Sequence, residues 1–268
     1  MVTRRDKRLG YEWKSAAARR LRELAGNVPN IGRALSTVTG HFLQGVTCPP
    51  TDLEALQKRL GIKSIETEDL PFAGELRREV DGFRIVLSKH LSQGRKQFTI
   101  AHELGHAILE TAGRRCPHSG SELERICDLL ATELLMPKSV FLEHLGLNFS
   151  LGSVSVLSRL FNTSLTATAI RIAELRGCTV FEVKNGEVSW SHGIVRKGSL
   201  TALDYELEAA VRRAPLYGRG EEIVYIPSPR WRGDWKVESM PIGAGQRILF
   251  MLQPMRDPEP SKAIALGA

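Results

Sequence analysis

The stretch QFTIAHELGHAILE, residues 97–110, decides how this chain is read. Within it His102, Glu103 and His106 form the pattern HExxH, and Phe98, Ile100, Ala101, Leu104, Ala107, Ile108 and Leu109 supply an apolar helical periodicity around them. Residues four apart on a helix lie one above the other, so both imidazoles face the same way and can reach a single ion. Two histidines on an otherwise apolar helix need partners for their ring nitrogens. A zinc ion is such a partner, and the glutamate beside the first histidine is then placed to act as a general base, Glu103 taking a proton from the attacking water. Its plain alternative is one more solvated helical glutamate.

A catalytic zinc keeps three protein ligands and one open position, so a further ligand is expected from another element. The pattern SELERICDLLATELLMP, residues 121–137, reads as a second helix that Pro137 stops, and it offers Glu122, Glu124, Asp128 and Glu133. Glu124 is preferred as the third ligand, because Asp128 lies one turn further along the same face and can accept the free N–H of a ligating histidine. Glu133 is the reserve ligand. Cys127 reads first as a small buried hydrophobe, with oxidation sensing or competition for zinc as its functional alternative. The mixed ligand set would also accept manganese or iron. His118, Arg125 and His192 are available to stabilise an oxyanion, each with a surface or structural role as the simpler reading. Gly105 costs the helix about 1 kcal/mol relative to alanine, which suits a close approach by neighbouring backbone.

Together, FTIAHELGHAILE and ELERICDLLATELLMP resemble the ImmA/IrrE family of metallo-endopeptidases, a likeness that spans residues 50 to about 175. The resemblance implies a zincin-like core holding zinc, with His102 and His106 matching the histidine ligands, Glu103 the catalytic base, and Glu124, before Pro137, the acidic ligand. It further implies a protein substrate, expected to be a helix-turn-helix transcriptional repressor whose cleavage induces mobile-element or stress-response genes.

Composition agrees with an intracellular setting. Four cysteines without a CxxC pair write no disulfide framework, and the charged start of the chain has no apolar run behind it, so a cytoplasmic protein without a membrane segment is expected. The net charge of +7 is concentrated early, at Arg4, Arg5, Lys7, Arg8, Lys14, Arg19, Arg20 and Arg22. This arm is a candidate for DNA contact, although charge runs are usually solvated surface.

The expected fold class is α+β, in four parts. Residues 1–49 read as a basic helix followed by a linker over residues 26–50, and residues 50–145 as the peptidase core, with a short helix and a small sheet that turns at Asp81-Gly82. Residues 146–177 read as a helical extension resembling a helix-turn-helix, in which Arg171 is the main candidate to read bases, although packing onto the core is the preferred reading. Residues 178–268 read as a small α+β domain, GAF-like and sensory in some relatives, ending in a disordered tail. Trp190, Trp231 and Trp235 there are core residues first and a ligand surface second. The strand at residues 83–88, if it lies at the sheet edge, offers an extended substrate a place to pair. The rival to the peptidase reading is a DNA-binding regulator with a vestigial peptidase fold.

Overall fold

The computed structural model describes residues 13–111, 120–193, 195, 197–199, 203, 205–217, 220–226, 233–243 and 247–255. Its architecture is α+β, and the chain divides into two compact units, one of Met1–Leu145 with Leu157–Ser164 and the other of Gly146–Val156 with Leu165–Ala268. The basic residues expected at 4, 5, 7 and 8, and the tail, lie outside the described residues.

The first unit opens with helices α1 (Ala16–Leu24), α2 (Ile31–Leu43) and α3 (Leu53–Arg59). Each starts at a side chain that accepts a free backbone N–H: Ser15 from Ala18, Asn30 from Arg33 and Asp52 from Ala55. The linker expected over residues 26–50 is corrected by α2. Its Ile31, Ala34, Leu35, Val38 and Thr39 recur at helical spacing and are all buried, and this apolar stripe outweighs the poor helix propensity of Gly32 and Gly40.

A three-stranded sheet follows, of β1 (Ile62–Glu68), β2 (Gly74–Glu79) and β3 (Gly82–Ser88) in the order β1-β3-β2. β1 runs parallel to β3, and β2 and β3 form an antiparallel hairpin pairing Leu76 with Ile85. The strand at residues 83–88 is therefore central, not at the edge as considered above. Its consecutive Ile85, Val86 and Leu87 are buried on both faces, as a central strand requires, and the charged β2 takes the edge. Against this sheet packs α4 (Gln93–Glu110), and against α4 packs α5 (Ser121–Leu135). α6 (Lys138–Leu145) completes the run.

Helix α7 (Leu151–Leu160) crosses from one unit into the other, and α8 (Leu165–Arg176) belongs to the second. Residues 146–177 are thus divided between the units instead of forming one extension. Phe161, just after α7, packs on Phe141 at 5.1 Å between ring centres within the first unit. Arg171 is buried and lies 3.7 Å from Glu174, so the residue singled out for reading bases is spent inside the fold.

The second unit is built on a six-stranded antiparallel sheet, ordered β6-β5-β4-β9-β8-β7, from β4 (Thr179–Lys184), β5 (Glu187–His192), β6 (Gly198–Ser199), β7 (Gly220–Ile226), β8 (Gly233–Pro241) and β9 (Arg247–Pro254). Asn185 and Gly186 turn β4 into β5 with φ of 52° and 78°, the left-handed pair a two-residue hairpin favours. Phe181 stacks on Phe250 at 4.9 Å, and α9 (Tyr205–Tyr217) adds Leu207, Ala210 and Val211 to the same core. Trp235 is buried in that core, Trp190 donates its indole N–H to Glu182, and Trp231 lies outside the described residues.

Candidate metal centre

The apolar stripe of α4, with Ala101, Leu104, Ala107, Ile108 and Leu109 fully buried, fixes which way the helix faces. The residues between them, His102 and His106, are carried to the face shared with α5. There α4 and α5 run antiparallel at close range. Gly105 makes this possible: a Cβ at that position would stand 3.2 Å from Cys127 Cα and 3.3 Å from the Cys127 carbonyl oxygen. The carboxyl end of α4 is held by α1, where buried Arg20 donates to the carbonyl oxygens of Leu109, at 3.1 Å, and Thr111.

Across this seam the predicted residues come together. His102 Nε2 lies 3.3 Å from His106 Nε2 and 3.2 Å from Glu124 Oε2, and His106 Nε2 lies 3.8 Å from Glu124 Oε1. On the far side of the same ring, His102 Nδ1 is 2.9 Å from Asp128 Oδ1. Glu124 and Asp128 are more than half exposed, so the seam opens to solvent on the α5 side.

These contacts fit a tetrahedral cation. Donors about 2.0–2.1 Å from a zinc ion stand about 3.3 Å apart, close to the spacings of the two imidazoles and the carboxylate. When neutral with its Nδ1–H directed at Asp128, His102 would present a bare Nε2 lone pair to a carboxylate oxygen and to a second imidazole nitrogen. Lone pairs converging in this way are what a positive ion relieves.

The electrostatics point the same way. Burial pulls the pKa of His102 down, but the Asp128 hydrogen bond and the charges of Glu103, Asp128 and Glu124 outweigh it and the net shift is upward. Burial, then the charge of His102, hold His106 below its ordinary value. Glu103 is only 4% exposed. Burial raises its pKa to about 7, with His102 opposing the shift and Glu124 adding to it, while the Leu76 backbone hydrogen bond from the edge strand β2 favours the ionised form.

Several of the other residues weighed from sequence are engaged elsewhere. Glu133 accepts the N–H of Lys138 at 3.2 Å, next to α6, and Glu122 accepts that of Ser15 at 2.9 Å. The Arg125 guanidinium lies over the Trp13 ring, 5.5 Å from its centre, and His118 falls outside the described residues. Sequence reasoning missed the Arg20 clamp and the Leu76 contact, both of which join residues far apart in the chain. Cys127, read first as a small buried hydrophobe with competition for zinc as the alternative, is buried and has its thiol beside both histidines.

Residues 57–173 match the family described as Peptidase M78, the IrrE N-terminal-like domain. The matched segment contains both motifs that carried the resemblance to the ImmA/IrrE family. No curated protein sequence matches the chain. Among solved structures, one described as a Mycobacterium tuberculosis transcriptional regulator is similar with a TM-score of 0.50 and 14% identity, over 87% of this chain and 80% of that one. A likeness at that identity is one of fold. Among the described residues no helix is long and apolar enough to cross a membrane.

Proposed function

We propose that this chain is a cytoplasmic zinc-dependent endopeptidase whose substrate is a protein, a helix-turn-helix transcriptional repressor by the family resemblance, and whose action induces the genes that repressor silences, stress-response genes among them. The observation that carries this reading is the convergence of His102, His106 and Glu124 at tetrahedral spacing one residue from a buried glutamate. In it, His102, His106 and Glu124 hold the ion, and Asp128 fixes the tautomer and orientation of His102. Manganese or iron suits the same donors. A bound zinc ion supplies Lewis acidity toward a carbonyl and toward water.

Glu103 does the proton work. Buried beside the two histidines, its carboxylate is placed to take a proton from the attacking water and deliver it to the departing amine nitrogen. The Leu76 N–H holds that carboxylate beside the outer edge of β2, where an extended substrate segment can lie along the strand. For the second unit, the reading is a sensory or substrate-positioning role.

The test is to incubate the zinc-loaded protein, and its Glu103→Gln variant, with the repressor encoded by a neighbouring gene and to identify fragments by mass spectrometry. A single defined cut made by the wild type alone is the expected result. No cut with zinc bound, together with salt-sensitive DNA binding that survives Glu103→Gln, would replace this reading with that of a DNA-binding regulator.

A further inference from the structure

The histidine pair has a second neighbour able to ligate a metal. Cys127 lies on α5 one turn from Glu124 and is fully buried. One ring nitrogen of His102, one of His106 and the Cys127 sulfur all lie within 4.8 Å of one another. The cause is the missing side chain at Gly105, between the two histidines on α4: a Cβ there would stand 3.4 Å from that of Cys127. Without it, α5 comes close enough to set the thiol beside both imidazoles. The pair is thus flanked by an exposed carboxylate and by a buried thiol.

We propose that Cys127 is a ligand of the metal centre, the fourth protein donor beside His102, His106 and Glu124. This deepens the reading of the site given above and rests on it. On a tetrahedral zinc ion a sulfur at about 2.3 Å and a nitrogen at about 2.0–2.1 Å stand about 3.5 Å apart, against a spacing of no more than 4.8 Å in the structure. Closing the remaining gap falls to the cysteine's single χ1 bond. The thiol releases its proton to solvent as the sulfur binds. Four protein donors fill a tetrahedral shell, so a centre loaded in this way admits water only when one donor leaves. A thiolate in the set also turns the site toward soft ions, which histidines and a carboxylate alone would not favour.

Cobalt(II) titration of the whole protein tests this without reference to peptide cleavage. The expected spectrum shows the visible d–d bands of a four-coordinate ion together with a near-ultraviolet band of sulfur-to-cobalt charge transfer. Cys127→Ser removes the charge-transfer band and keeps the visible bands. Because a buried substitution can unfold the chain, a second variant replaces Cys48, Cys116 and Cys178 and leaves Cys127 in place; it retains the charge-transfer band. Visible bands with no charge-transfer band in the wild type would overturn thiol ligation and leave the histidine and carboxylate site standing. A band lost from the triple variant would assign the sulfur to another cysteine and overturn the proposal equally. Failure to bind cobalt at all would overturn both the proposal and the site it rests on.

Discussion

Replacing Glu103 by glutamine should make the metal-free protein more stable at pH 8 and leave it unchanged at pH 4. The carboxyl is buried, and its pKa rises from 4.5 to about 7 in the folded chain. At 1.36 kcal/mol for each pKa unit, that rise corresponds to about 3 kcal/mol. The sign follows from proton binding. Below pH 4.5 the side chain is neutral whether the chain is folded or not, and Glu103 carries no penalty. As pH climbs, the unfolded chain gives up this proton first, so folding becomes less favourable until the folded group also ionises near pH 7. Above that, the full penalty applies. Glutamine is neutral throughout, nearly the same size, and keeps an oxygen for the Leu76 N–H. Urea unfolding of chelator-treated wild type and variant, repeated at several pH values between 4 and 8, reads the difference directly. A gap that does not widen with pH, or a wild type more stable than the variant at pH 8, would refute the claim that burial dominates at this carboxyl. The same variant should lack peptidase activity, and the two effects together would mark a residue whose stability cost is tied to function.

Three further outcomes follow from the seam between α4 and α5 and its supports. Gly105→Ala gains about 1 kcal/mol of helix propensity but presses a methyl group against the Cys127 backbone, an overpacking cost of about 1–3 kcal/mol, so a lower urea midpoint and weaker zinc binding in chelator competition are expected. A more stable variant with unchanged zinc affinity would show that the helices can part freely. Asp128→Ala should weaken zinc binding by about 10–100-fold in the same competition while leaving the fold intact by circular dichroism, since it removes the partner of His102 Nδ1; unaltered affinity would deny Asp128 that role. Arg20→Ala should cost about 2 kcal/mol in urea unfolding, because it strips a charged donor from two carbonyl oxygens at the end of α4; a loss below about 0.5 kcal/mol would mean solvent takes its place.

Much of the candidate metal site was legible because it is written locally. HExxH sets two imidazoles one turn apart whatever surrounds them, and the same periodicity that buries Leu104 and Ile108 orients His102 and His106. The spacing of Glu124 and Asp128 on α5 is likewise local, and the structure brings both to His102. What escaped depends on contacts between distant residues. Arg20 looked like one more charge in a basic run, yet it reaches a carbonyl 89 residues away. The charged sequence GELRRE gave little sign that β2 is the strand beside Glu103, whereas the apolar β3 looked better suited to a substrate and is shut inside the sheet. Helix α2 was hidden by glycines and threonines whose weak propensity tertiary burial overrides. Arg171 shows the limit of a local pattern from the other side: a basic residue on a helix after a turn suits either base reading or packing, and only its burial decides for packing.

The clamp of Arg20 on α4 separates what is inherited together from what folds together. The family segment starts at residue 57, downstream of both α1 and α2, and stops at residue 173, inside a helix that belongs to the second unit. Grafted alone into another protein, that segment would carry the histidines but leave the end of their helix without its guanidinium, and it would bring α8 without the sheet it packs on. Exchange of this module between chains is therefore constrained by residues that no comparison of the module itself would reveal. A new host must rebuild the clamp, or find another way to close the helix, before the motif can hold its shape.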